Sequence, residues 1–305
     1  MMKSMKMTAM VLGLTLAGSA FTCSEDGTGG FLPENNMKIP VGVKRSGGID
    51  EKQFHNAIDR VVKIYEPIVA NMGANLVTEK RWSDSTVNAY AQQSGKSWKI
   101  SMFGGLARHE SITEDGMSLV VCHEIGHHIG GAPKKGGATG GGGWWGGAGG
   151  SSWATNEGQA DYFANLKCLR KTFLNDNNIA IVSKMTIPAS VSEACSKATK
   201  GDKEDTAICI RGAMAGKSVS DLFSALSKTP ETKFETPDRS VVKATNDSHP
   251  AAQCRLDTYF QGSLCDVSFN EDVSQTDEVK GTCHASLGMT SGLRPTCWFK
   301  PSKKR

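Results

Sequence analysis

The chain has 305 residues and a formal net charge of +4, with 38% hydrophobic and 22% charged residues. That composition is ordinary for a globular protein of one or two domains. The basic residues are scattered apart from the closing "KPSKKR", which excludes the concentrated basic face of a nucleic-acid binder. After the first 20 residues no segment approaches the ~18 continuous apolar residues of a membrane span.

Residues 1–20 carry two early lysines, a short apolar run, and the small residues Gly18 and Ala20 before a cut. This reads as a secretory signal peptide. Export to the periplasm or the exterior is therefore expected, with protein or peptide partners and no nucleic acid. The nine cysteines contain no C-x-x-C pair, so disulfides are their expected use in an oxidising compartment. Cys23 stands just past the signal, before "SEDGTGG". If it carries a lipid anchor, the chain is a membrane-anchored lipoprotein and the other eight cysteines are even in number.

Residues 21–48 read as a flexible lead-in. From Glu51 the apolar positions Phe54, Ala57, Ile58, Val61, Ile64, Tyr65 and Ile68 predict a helix ending at Gly73. Strand-like pieces follow in "ANLVTEKRW", "STVNAYA" and "SWKISMF", with "QQSGK" as the turn between the last two. "GGLARHES" then leads to a second helix, where Ser111 and Glu114 have the spacing of a capping box. That helix runs through "VVCHEIGHH" to Gly130–Gly131. Residues 136–152 are glycine-rich and hold Trp144 and Trp145; they read either as a substrate-gripping lid or as an insertion without a role. A third helix is predicted from Thr155 or Asn156 through "NEGQADYFANLKCLRKTF". Residues 176–245 read as several short helices, and "SHPAAQCRLDTYFQG" resumes a helical pattern.

Three of the seven histidines fall within six positions, His123, His127 and His128. His123 and His127 lie one helical turn apart, so both imidazoles face one way and span two sites of a tetrahedral zinc ion. Glu124 adjoins the first of them. It cannot ligate alongside, but it reaches a water on the metal and fits a general base. A catalytic zinc needs a third protein ligand. The histidine used six residues after the second in one known arrangement is here Pro133, so that solution fails. The other uses a glutamate on a following helix, and "NEGQAD" supplies Glu157. Asp161, one turn on, is expected to accept from a ligand histidine, with His123 preferred. His128 points ~100° away around the helix and is read as structural or solvent-facing. Cys122 is read as a disulfide or a buried thiol.

The ordered stretches "VNAYA", "GGLARHESITEDGMSLVVCHEIGHHIGG", "EGQAD" and "SHPAAQCRL" resemble the signatures of the minigluzincin peptidases related to HtpX, BepA and the CAAX prenyl proteases. The resemblance spans roughly residues 51–265 and is sharp only at the motifs. It implies an α+β, mostly helical metallopeptidase domain with a small sheet before the HExxH helix. It also implies one zinc ion and an endopeptidase activity. The same resemblance brings His249 and Arg255 back toward the site, as candidates to stabilise the oxyanion, with His249 alternatively capping the metal. The expected organisation is signal 1–20, lead-in 21–48, a peptidase domain at 49–265 with a helical insertion at 176–245, and a cysteine-bearing tail at 266–305. Two rivals stay open: a zinc-stabilised binding or chaperone-like module without turnover, and a cell-wall peptide hydrolase.

Overall fold

The computed structural model describes residues 29–43, 47–136 and 152–302. The expected signal sequence, Cys23, the Trp144–Trp145 pair and the last three residues lie outside them.

The chain is α+β. Helix α1, Glu51–Asn71, starts at an Asp50 N-cap whose capping box with Gln53 satisfies two end groups. Of its predicted apolar stripe, Phe54, Ala57, Ile58, Val61 and Tyr65 are buried, Ile64 and Ile68 are partly buried, and Val69 is buried in addition. Strands β1 (Asn75–Arg81), β2 (Ala89–Ser94) and β3 (Ser97–Phe103) form a sheet in the order β1-β3-β2. The strand β1 runs parallel to β3, while β2 and β3 make an antiparallel hairpin. The hairpin turn is tighter than expected, with Gly95 and Lys96 alone between the strands and Gly95 at positive φ.

A helical turn α2, Gly104–Ala107, precedes the central helix α3, Glu114–Ile129. The cap of α3 is Thr113, not Ser111: the Thr113 hydroxyl accepts from Gly116 N at 3.0 Å. Ser111 is engaged elsewhere, its N–H on His109 Nδ1 and its carbonyl on the Ser218 hydroxyl, so the chain turns helical two residues later. Every residue of α3 from Gly116 to Ile129 is buried. It is wrapped by α1 on one side, β2 and β3 on another, and the later helices on the rest.

Past the segment at 137–151, the chain re-enters at Ser152 and forms α4, Glu157–Phe163, capped by Asn156. A π-helical turn, Ala164–Cys168, follows, and then α5, Leu169–Phe173. The extra residue of that turn aims Asn165 inward, where its amide nitrogen reaches Gly212 O, Tyr259 O and Ser263 Oγ at 2.8–2.9 Å.

The region expected to hold several short helices contains α6 (Asn178–Val182), α7 (Ala189–Ala198) and one long helix, α8, Lys203–Ser227. The reason the long helix hides in the sequence is its packing. The helix α8 lies close against α9 (Ala252–Leu264), and at Gly216 an added Cβ would stand 2.5 Å from Tyr259 Cβ. Small residues of low helix propensity are what this contact demands, and they blur the periodic signal. The tail returns to the centre. Trp298 is fully buried, its indole donates to Thr258 Oγ1 at 2.9 Å, and it covers Gly158 so closely that a Cβ there would lie 2.3 Å from the ring.

All eight cysteines among the described residues are paired: Cys122–Cys168, Cys195–Cys209, Cys254–Cys297 and Cys265–Cys283. Among these residues no helix is long and apolar enough to cross a membrane.

The described part of the lead-in is not a loose tether. Phe31 and Leu32 are fully buried. Phe31 N donates to Ala89 O at 2.8 Å, and the Asn88 side-chain amide pairs with both backbone groups of Leu32. Farther on, Ile39 N donates to Ser85 O, and Lys38 bridges Thr86. This strap occupies the stretch that was expected to begin the second strand, which is why β2 opens only at Ala89. Replacing Phe31 with alanine is therefore expected to cost about 3–5 kcal/mol in urea denaturation. A lead-in without packing would shift stability by less than about 0.5 kcal/mol.

Candidate metal centre

Helix α3 supplies His123 and His127, and α4 supplies Glu157, all three fully buried. Their ligand atoms lie within 4.8 Å of one another. His123 Nε2 is 3.3 Å from Glu157 Oε2, and His127 Nε2 is 3.7 Å from Glu157 Oε1.

What turns these atoms toward one point is the other nitrogen of each ring. His123 Nδ1 lies 2.7 Å from Asp161 Oδ1, and His127 Nδ1 lies 2.8 Å from the carbonyl of Thr155. A carboxylate and a carbonyl only accept, so each Nδ1 carries the hydrogen and each Nε2 keeps its lone pair. Neither Nε2, nor Glu157 Oε2, has a hydrogen-bond partner among the described residues. Three buried acceptors facing one another without donors are costly unless a cation sits among them. Two imidazole nitrogens and a carboxylate oxygen form a donor set for a borderline divalent ion, and they leave coordination positions open.

The electrostatics of the protein's own groups point the same way. Burial opposes a charge on His123, yet the Asp161 and Glu157 carboxylates lift its pKa to about 9. Burial alone would raise Glu157, but His127, His123 and Lys135 hold it well below the ordinary carboxylate range. Burial drives His127 well below its usual value. The centre thus attracts one positive charge. A proton on His123 would serve only the 3.3 Å pair with Glu157, whereas an ion shared by all three would meet His123 Nε2, His127 Nε2 and Glu157 Oε2 together.

Glu124 is fully buried next to His123, and neither of its carboxylate oxygens has a hydrogen-bond partner among the described residues. Burial raises its pKa to about 8, with His123 opposing and Glu157 adding to the shift. It is not in the ligand cluster. An uncommitted buried carboxylate beside a cation site is suited to take and return a proton.

Asp161 is the hub behind the ligands. Its Oδ1 also receives Arg255 Nη2 at 2.5 Å and the Tyr259 hydroxyl at 2.7 Å. Arg255 is fully buried. Its remaining donors go to Phe31 O and Tyr259 Oη, and its guanidinium lies over the rings of Phe223 and Phe31. The role expected of it was to stabilise an oxyanion. Arg255 stands behind His123, bonded to Asp161 Oδ1, Phe31 O and Tyr259 Oη, so it orients the Asp161–His123 pair.

His249 comes to the centre. Its Nε2 is 3.6 Å from Glu157 Oε2 and 2.7 Å from the carbonyl of Gly30. Because that carbonyl only accepts, Nε2 holds a hydrogen, and in this arrangement it has no lone pair to cap a metal. The same bond occupies that hydrogen, so a donor role needs it released from Gly30. His128 is no ligand: its ring is stacked between Trp98 (5.3 Å between centroids) and Trp153 (4.9 Å), and burial lowers its pKa to about 4.

Sequence reasoning missed two groups. One is the strap, whose Gly30 and Phe31 carbonyls serve His249 and Arg255. The other is Lys135, whose Nζ lies 2.7 Å from Glu157 Oε1. Lysine has no metal-site signature, so only its place before the glycine-rich segment could have drawn notice. The second His/Cys/Asp/Glu grouping, Asp238, Cys254 and Cys297, offers no thiolate, since its cysteines are joined to each other. Searches against protein-family models, curated proteins and solved structures find no match for this chain.

Arg255→Met removes the cation that faces a buried carboxylate. It is expected to lower stability by about 3–5 kcal/mol in chemical denaturation. Asp161→Asn, which keeps the shape, tests the neighbouring link: metal affinity by chelator competition should fall about 10- to 100-fold.

Proposed function

We propose that the chain is a zinc-dependent endopeptidase of the minigluzincin type, acting on exported polypeptides. The observation that carries this reading is the pairing of two features. Three lone-pair-bearing atoms of His123, His127 and Glu157 converge on one point, and a partnerless carboxylate, Glu124, stands beside them. A purely structural zinc site closes with four protein ligands and has no use for such a base. The order of the motifs supports the family, and four disulfides together with the secretory-type N-terminus support an exported location.

Bound zinc would supply Lewis acidity and acidify a water at its open position. The chain's own groups do the rest. His123 and His127 present Nε2 because Asp161 and Thr155 hold their Nδ1 hydrogens. Glu124 accepts the proton of the water that attacks the scissile carbonyl and delivers it to the departing amine, a contribution of about 10²–10⁴ in rate. The burial of Glu124 favours that shuttle, since desolvation raises its pKa and makes the carboxylate a stronger base.

The decisive comparison uses zinc-loaded protein on unfolded protein and on purified cell wall, side by side. Hydrolysis of unfolded protein supports the reading; cutting of cell wall alone transfers it to peptidoglycan peptides; zinc binding with no cleavage of either leaves a binding module. Within the first outcome, His123→Ala should lose zinc by metal analysis. Glu124→Gln should keep zinc and lose about 10²–10⁴ in kcat.

A further inference from the structure

A peptide-cleaving centre needs a donor for the negative charge that develops on the carbonyl oxygen. Of the cations and donors near the ligands, Arg255 is fully buried behind His123 and bonded to Asp161, Phe31 O and Tyr259 Oη, and His249 Nε2 is held by Gly30. Lys135 is different. Its side chain is 21% exposed while Glu157 is fully buried, so the ammonium comes in from the solvent side of the centre. Among the described residues its one hydrogen bond from Nζ is to Glu157 Oε1, and an ammonium has three donors.

The backbone that carries it is fixed. Lys135 N donates to Ala154 O at 2.8 Å, and Lys134 forms a bridge with Thr155. The Lys134 ammonium is spent on Trp153 O, Thr155 Oγ1 and Gln275 Oε1. Two adjacent lysines therefore do separate jobs: one ties the segment to the residues just before α4, and the other extends a flexible stem into the ligand cluster.

We infer that Lys135 is the electrophile that receives the developing oxyanion of the substrate; the inference rests on the peptidase reading above. When a divalent ion shares the charge of Glu157, the carboxylate attracts Lys135 less strongly, because one negative charge is divided between two cations. The ammonium is then available to a new anion formed beside Glu157, within the sweep of its four-carbon stem. No covalent step is involved. Lys135 donates a hydrogen bond to the oxyanion and keeps its proton throughout.

The test uses the zinc-loaded full chain and a phosphinic peptide of alanines, a tetrahedral anion in place of the scissile amide. Zinc affinity is measured by chelator competition and phosphinate affinity by calorimetry. Lys135→Gln should bind zinc as the wild type does and bind the phosphinate about 10²–10³-fold more weakly. Lys135→Arg, which keeps the charge, should recover most of that loss. Unchanged phosphinate affinity in Lys135→Gln overturns the assignment. So does a loss of zinc in that variant, which would make Lys135 a positioner of Glu157. If wild-type protein binds zinc but neither binds the phosphinate nor cleaves unfolded protein, the peptidase reading fails and this one with it. Cleavage by wild type, with phosphinate binding untouched by the substitution, removes Lys135 alone.

Discussion

The arrangement depends on one buried carboxylate. Asp161 takes hydrogen bonds on a single oxygen from His123 Nδ1, Arg255 Nη2 and the Tyr259 hydroxyl. It therefore fixes the His123 tautomer, ties α3 to α4 and α9, and through Arg255 reaches the carbonyl of Phe31 in the strap. A buried ion pair of this kind adds little to stability when compared with apolar packing. Its value here is orientation: without Asp161 the lone pair of His123 has no fixed direction, and the ligand set loses its shape.

Around that hub the covalent and packing constraints agree. Cys122, the residue before His123, is bonded to Cys168 in the helical segment that follows Asp161. With 46 residues of separation, such a link removes about 4 kcal/mol of unfolded-chain freedom in the entropic picture. It holds the two ligand-bearing segments together at their cores. From the other side Cys254–Cys297 brings the tail back, so that Trp298 closes on Gly158, next to Glu157. The ligands are thus clamped from two directions by bonds that lie outside the centre.

Much of the centre was legible because its chemistry is local. His123 and His127 are one turn apart, and Glu157 and Asp161 are one turn apart, so a helical reading of two short stretches is enough to align four side chains. Helix α1 was legible for a similar reason, since only one of its faces is buried. The rest was hidden where burial is complete or partners are remote. The helix α8 packs on α9 through small residues and offers no clean stripe. The role of Arg255 depends on carbonyls and rings far along the chain, which no spacing encodes. Phe31 and Leu32 sit in a stretch rich in glycine and polar residues, and their burial follows from a match with Asn88 and β2 that only the fold reveals. The cap of α3 moved by two residues because Ser218, distant in sequence, claims the groups around Ser111.

The strap also bears on the order of assembly. Gly30 meets His249 across 219 residues of sequence, and Phe31 meets Arg255 across 224. Contacts of such range form slowly, because a long loop must be closed before they repay its entropy. During synthesis the strap emerges more than 200 residues before these partners. The backing that orients the first histidine of the HExxH helix therefore waits for these two distant segments to meet.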